Sequence, residues 1–329
     1  MKEKMVEWLQ LGRAQTFPAD WLLVIVPFAH GQPDLFPVLL LTVFMWFVHF
    51  VSFAENSLFD FTQGYDTTDP AKSTHPLEQG RITVHNAITG IVWGKGFLMV
   101  VGAALTIAWS PVPLWSMVGL FMWYTWGTAY NVGLSKESLL GFLPISVCFT
   151  SMGAWAWLLS HSELGVVGAV YLAFVFFTIL FQISYSGHLK DLEQKEHSNI
   201  LTKMGANIHK FGKGKWYYPG KARHYGLAIK SVNIFLALTL FLFSGVSDAL
   251  GIVVGFLAVM ASIYLWKLTK PRYYERAEEL KNMGMEEIAT IFLVLPSLVG
   301  VISLPLMLVA AAYYFAMNKV LWKASYPRV

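Results

Sequence analysis

Apolar residues in this chain come in runs too long and too continuous to form one face of a soluble helix. They fall near 17–33, 35–58, 84–109, 112–131, 138–160, 164–187, 225–245, 247–267 and 288–316. A helix rises 1.5 Å per residue, so roughly 20 apolar residues cross the hydrocarbon of a bilayer. In lipid, a helix pairs its backbone amides within itself, which makes it the element such runs adopt. The pattern predicts an all-α fold, a polytopic membrane helix bundle of about nine transmembrane helices. Asp20, Pro27 and His30 interrupt the first run, so eight spans is the alternative count.

The polar stretches between the runs are unequal. Residues 59–83 and 188–223 are long, and each follows the second span of a four-span group. That spacing suggests two related four-helix halves plus one further helix, although no sequence repeat is evident by eye. The expected organisation is an interfacial segment over 1–16, a single bundle over 17–316 carrying the two long loops, and a tail over 317–329. Basic residues concentrate in the N-terminal segment (Lys2, Lys4, Arg13) and in alternate loops. The loop after span two holds Lys72 and Arg81, and the loop after span four holds Lys136. The loop after span six holds Lys190, Lys195, Lys203, Lys210, Lys213, Lys215, Lys221 and Arg223, and the loop after span eight holds Lys270, Arg272, Arg276 and Lys281. The positive-inside rule then predicts that the N-terminus and the large loops are cytoplasmic. Lys319, Lys323 and Arg328 in the tail run against that placement if there are nine spans.

Composition agrees with a lipid-facing surface. Of the 329 residues, 56% are hydrophobic and only 13% charged, where a soluble domain carries about 25% charge. The net charge of +4 is too small to point to a nucleic-acid partner. Cys148 is the single cysteine, which excludes an intramolecular disulfide and argues against a thiolate metal cluster. The N-terminal segment lacks the short apolar core and small-residue cleavage site of a signal peptide.

Candidate chemistry sits in the two long loops. The first is approached through NSLFDFTQGYDTTDPAKSTHPLEQGRIT, residues 56–83. Asn56 and Asp60 are four apart and share one face of a helix continuing from span two; Asp66 and Asp69 follow across a turn at Gly64. A carboxamide and carboxylates are hard oxygen donors, suited to Mg²⁺ rather than zinc. The plainer reading is a solvated acidic loop. The second loop opens YSGHLKDLEQKEHSNILTKMG, residues 185–205, where Asp191, Glu193 and Glu196 alternate with Lys190 and Lys195. Alone, this alternation is what a solvated helix face shows. Two acidic clusters at equivalent places in two halves are less readily coincidental, and suit a polyanion held through metal.

These segments carry a family resemblance. NSLFDFTQGYD followed by HPLEQGRIT resembles the first aspartate-rich motif of the UbiA superfamily of intramembrane prenyltransferases, and HLKDLEQKEHSNILTKMG is similar to the second. The stretch YNVGLSKESLLGFLP around Lys136 also resembles the family's segment after its fourth span. The spacing of Asp66 looks most like the branch that prenylates dihydroxynaphthoate in menaquinone biosynthesis. The resemblance covers about residues 10–316. It implies a nine-helix transferase that uses Mg²⁺ to act on an isoprenoid diphosphate and a lipophilic or aromatic acceptor such as a quinone precursor. It further implies Asp60 and Asp191 as catalytic residues, Asn56, Asp60, Asp66, Asp191 and Glu193 as metal ligands, and Arg81, Lys136 and Lys190 as contacts to prenyl diphosphate. Two positions depart from the pattern: Ser57 stands for the usual first Asp, and Lys195 for the second Asp of the second motif. The alternatives are a UbiA-type terpene cyclase and a non-catalytic lipid or prenyl-diphosphate binding or transport protein. His49, His75 and His85 read as structural hydrogen-bonding residues. Lys95 and Lys230 lie inside apolar runs, Lys230 near enough to its span's start to snorkel and Lys95 deep enough to line a cavity.

Overall fold

The computed structural model describes residues 2–31, 34–64, 74–134, 141–190, 192, 199–208, 216–217, 220–270 and 275–323. Helices α1 (Lys2–Leu11), α2 (Phe17–Gly31), α3 (Leu35–Thr62), α4 (Val84–Trp109) and α5 (Pro113–Ala129) lead into a widened π-type turn over Tyr130–Leu134. Then come α6 (Phe142–Ser160), α7 (Gly165–Phe181), a second π-type turn (Gln182–Gly187), and the short α8 (His188–Lys190) and α9 (Ile200–Lys203). A two-residue antiparallel ladder pairs β1 (Asn207–Ile208) with β2 (Trp216–Tyr217). The chain continues through α10 (Gly220–Ser244), α11 (Asp248–Thr269), α12 (Arg276–Phe292), α13 (Leu295–Val299) and α14 (Ser303–Trp322). Among the described residues the fold is helical apart from that minimal ladder.

Side-chain periodicity shows why these helices belong in lipid. On α11, Leu250, Val254, Leu257, Ala261, Leu265 and Leu268 form a buried stripe. Ile252, Phe256, Val259, Ile263 and Trp266, at the same helical spacing on the other face, are exposed and equally apolar. Trp93 is 77% exposed and Phe36 75%; side chains of this kind need hydrocarbon around them, since soluble proteins rarely expose large contiguous apolar faces. Among the described residues, seven helical segments are long and apolar enough to cross a membrane, with Ala277–Trp322 counted as one. The expected first and fourth spans are α2 and α5, whose 15 and 17 residues are shorter than any of those seven segments. The expected ninth span is not one straight helix. It breaks between α12 and α14, where Gly300 takes φ +57°, and α14 continues past residue 316 to Trp322.

The helices form two compact units. Unit 1 comprises Met1–Gly133, Ser151–Leu164 and Pro305–Val329; unit 2 comprises Leu134–Thr150 and Gly165–Leu304. In unit 1, α3 packs against α2 and α4, with Phe44 and Trp155 tilted against each other at 5.5 Å. In unit 2, α7 packs along α10, and α11 along α12. Its core gathers Phe181, Tyr185, Leu189, Leu201 and Leu268 around the start of the second long loop.

Candidate active site

The first motif lies on the last turns of α3, which runs to Thr62 and so carries Asn56 and Asp60 one helical turn apart. Asn56 donates from Nδ2 to Asn131 Oδ1 at 3.2 Å. Asn131 sits in the π-type turn after α5 and donates in its own right to Glu55 Oε2 at 2.7 Å. The other oxygen of Glu55 is paired with the Lys95 ammonium, which also donates to Thr128 Oγ1 at 2.6 Å and lies 4.8 Å from the Tyr124 ring centre. Lys95 belongs to the buried stripe of α4 with Ala87, Ile91, Leu98 and Gly102. It is therefore a buried ion-pair residue, its charge matched by Glu55 one position before Asn56.

Ser57, the first departure from the motif, is fully buried and donates to the carbonyl of Leu11 at 3.1 Å, closing the end of α1. The motif departure therefore places a short hydroxyl against the end of α1, where it satisfies a helix-terminal carbonyl. Asp60 is mostly buried and meets Arg13, with Nη2 3.6 Å from Oδ2. Arg13 adopts the left-handed conformation at φ 45°, which costs a non-glycine residue about 1–2 kcal/mol. Its carbonyl is held in return by His49 Nε2 at 3.1 Å and Thr16 Oγ1 at 2.9 Å. His49 Nδ1 is paired with Asp20 Oδ2 at 2.6 Å, which makes it a structural residue. Arg81 follows a tight turn at Gly80 (φ 65°). Its guanidinium donates to the Thr74 carbonyl at 2.7 Å and reaches Gln10 at 3.5 Å and Glu7 at 3.8 Å on α1.

The second motif follows the π-type turn of unit 2. Gln182, its first residue, donates from Nε2 to Glu286 Oε2 at 3.0 Å. Glu286 Oε1 is paired with Lys230 at 2.5 Å and accepts from Thr290 Oγ1 at 2.7 Å. Lys230 donates to Thr290 at 2.8 Å and reaches Asn233 at 3.4 Å. It does not snorkel. Helix α10 begins at Gly220 rather than 225, which sets Lys230 about three turns inside, on the stripe with Gly226, Asn233 and Ala237, fully buried. Downstream, Asn199 caps α9 reciprocally with Thr202 and donates to the His188 carbonyl at 3.2 Å, tying the loop back to the end of the turn.

Of the expected site residues, Asn56 and Asp60 are brought onto one face, and Arg81 is brought to α1. Asp66, Lys136, Asp191 and Glu193, together with Asp69, Lys195 and Glu196, lie outside the described residues, as does the side chain of Lys190. Among the described residues no group of three or more His, Cys, Asp or Glu converges as a metal site. The donor chemistry of Asn56 and Asp60, two hard oxygens one turn apart, fits Mg²⁺. Sequence reasoning missed Glu55, Asn131, Arg13, Gln182 and Glu286. The available signal was the charge inside each span: Glu55 and Lys95 both interrupt apolar runs, and a buried charge requires a partner.

Long helices that expose apolar faces, with a charged pair buried within each unit, define a polytopic membrane protein. Residues 21–288 match the sequence model of the UbiA prenyltransferase family, and the chain belongs to that family. A UbiA homologue from Archaeoglobus fulgidus bound to DMAPP and Mg²⁺ has the same fold, with a TM-score of 0.63 at 16% identity over 95% of this chain and 99% of that one. An apo UbiA homologue from Aeropyrum pernix K1 gives 0.61 at 14% identity, over 84% and 94% of the two chains. A digeranylgeranylglyceryl phosphate synthase gives 0.60 at 14% identity, over 89% and 99%. No curated protein matches the chain by sequence.

Proposed function

We propose that the chain is a Mg²⁺-dependent integral-membrane prenyltransferase that moves a polyprenyl group from its diphosphate to a lipophilic or aromatic acceptor, with a quinone precursor such as dihydroxynaphthoate the acceptor class. The observation that carries the reading is the Asn56–Asp60 pair on α3, in a chain of the UbiA family. The Archaeoglobus homologues, bound to DMAPP or GPP together with Mg²⁺, support both the donor class and the metal.

In this reading Asn56, Asp60 and Asp66 from the first motif, and Asp191 and Glu193 from the second, hold the metal. Arg81, Lys136 and Lys190 bind diphosphate oxygens directly. When bound, Mg²⁺ supplies neutralising charge for the diphosphate as it leaves the allylic carbon. Asp60 would hold the metal beside Arg13, 3.6 Å away, which would stand as a further cation for the diphosphate. Preorganised cations aimed at the leaving oxygen stabilise charge that develops only on ionisation, which is the larger part of the catalytic task. The acceptor's electron-rich carbon then attacks the allylic carbon, and the proton it loses leaves to a base or to water. The basic residues of the N-terminus and the large loops support a cytoplasmic placement for both.

The test is phosphate release in detergent, coupled through pyrophosphatase, from farnesyl or geranylgeranyl diphosphate with and without dihydroxynaphthoate. Release that needs both metal and acceptor is expected. Metal-dependent release without acceptor would indicate a cyclase or hydrolase, and tight diphosphate binding with no turnover would indicate a binding or transport protein.

A further inference from the structure

In unit 1 a line of polar side chains ends on the Asn56 carboxamide, and its direction is dictated by chemistry. Lys95 has donors and no acceptor; Glu55, paired with it, has acceptors and no donor. Asn131 meets the second oxygen of Glu55 at 2.7 Å, so its NH₂ must face that carboxylate and its Oδ1 must face the other way. That oxygen accepts from Asn56 Nδ2 at 3.2 Å. Turning either amide over would set oxygen against oxygen in a setting where Glu55 and Asn131 are both buried. An unmade bond in such a setting costs about 1–3 kcal/mol. The line therefore uses the amide nitrogen of Asn56 and leaves Oδ1, the atom able to ligate a hard cation, outside it.

We propose that Glu55 and Asn131 are positioning residues that hold the Asn56 carboxamide with its oxygen presented to the divalent cation. The inference rests on Asn56 being a metal ligand. A parallel arrangement in unit 2 shows that this use of a glutamate is not isolated. Lys230, like Lys95, lies on the helix after an acidic loop and pairs with a glutamate. The second oxygen of that glutamate also takes the side-chain amide of a residue in a π-type turn, Gln182 where unit 1 has Asn131. In unit 1 the line goes one residue further and reaches the motif.

The test titrates Mn²⁺ into the detergent-solubilised full chain, read by electron paramagnetic resonance, in the presence of unreactive geranyl thiolodiphosphate. Asn131→Leu, with Asn131→Ala as the smaller second variant, is expected to raise the Mn²⁺ dissociation constant about tenfold, as loss of a residue that orients a ligand does. The Mg²⁺ concentration for half-maximal turnover should rise in step, while kcat at saturating metal stays within about threefold. Thr125→Ala, which removes only bonds within α5, should change neither. Wild-type Mn²⁺ affinity in both Asn131 variants, with weakened binding in Asn56→Leu, would overturn the positioning role and leave the site reading intact. Loss of kcat at saturating metal with unchanged Mn²⁺ affinity would also overturn it, because Asn131 would then act through the fold. Wild-type binding in Asn56→Leu would remove the site reading itself.

Discussion

Replacing Glu286 with alanine is expected to destabilise unit 2 more than almost any other single polar change. Glu286 and Lys230 are both fully buried and 2.5 Å apart, with Gln182 and Thr290 satisfied by the same carboxylate. Removing one partner of a buried pair leaves the other charge uncompensated, a loss of about 3–5 kcal/mol. The orphaned Gln182 amide adds about 1 kcal/mol or more. At about 2–4 °C per kcal/mol for a chain segment of this size, thermal unfolding in dodecyl maltoside should shift down by about 10 °C or more. Lys230→Met should behave similarly, because it leaves the carboxylate alone. The double variant Lys230→Met with Glu286→Leu removes both charges and fills the space, and should recover most of the loss, since an apolar replacement of a buried pair is often neutral. Followed by intrinsic tryptophan fluorescence, single variants melting within about 2 °C of wild type would refute the reasoning, because that shift corresponds to no more than about 1 kcal/mol.

Other outcomes follow from the same geometry. Asp60→Asn and Asp191→Asn should each lower prenyl transfer at least about 100-fold, and a chelator should abolish it until Mg²⁺ is restored; full activity in both variants would sink the proposed function. Gly226→Ala would set a Cβ 2.3 Å from the buried Tyr185 ring in the turn before the second motif, so melting should fall by about 1–3 kcal/mol equivalent. Gly96→Ala, with nothing within 4 Å, should be neutral or stabilising by up to about 1 kcal/mol. Burial holds the His161 imidazole below its ordinary value, partly offset by its bond to the Trp157 carbonyl. The unfolded chain then binds the proton more readily, so this contribution is present above about pH 6.5 and is lost as pH falls below it. Melting measured from pH 7.5 to 5 should decline more steeply for wild type than for His161→Phe.

Much of this molecule was legible in the residue order because the relevant physics is local. Apolar run length alone predicted helices of membrane-crossing length, and the i, i+4 spacing of Asn56 and Asp60 put both on one face of α3 before any fold was known. The places of α2, α5 and the broken final span were less legible. Hydropathy reads composition over a window, whereas the helix ends depend on the turn at Gly300 and on short segments ending early. Sequence flagged Lys95 and Lys230 as charges needing explanation but could not name their partners. Glu55 lies 40 residues before Lys95 and Glu286 lies on α12, two helices after α10. Which of many polar residues meets a buried ammonium is set by the rotation and register of neighbouring helices, a property of the packed bundle that no single run of sequence contains. Arg13 reaches Asp60 through a left-handed turn stabilised by His49 and Thr16. Sequence alone determined a membrane helix bundle and one helix face carrying both Asn56 and Asp60; tertiary structure decided the hydrogen-bond lines that meet that face, because those bonds join residues the chain itself keeps far apart.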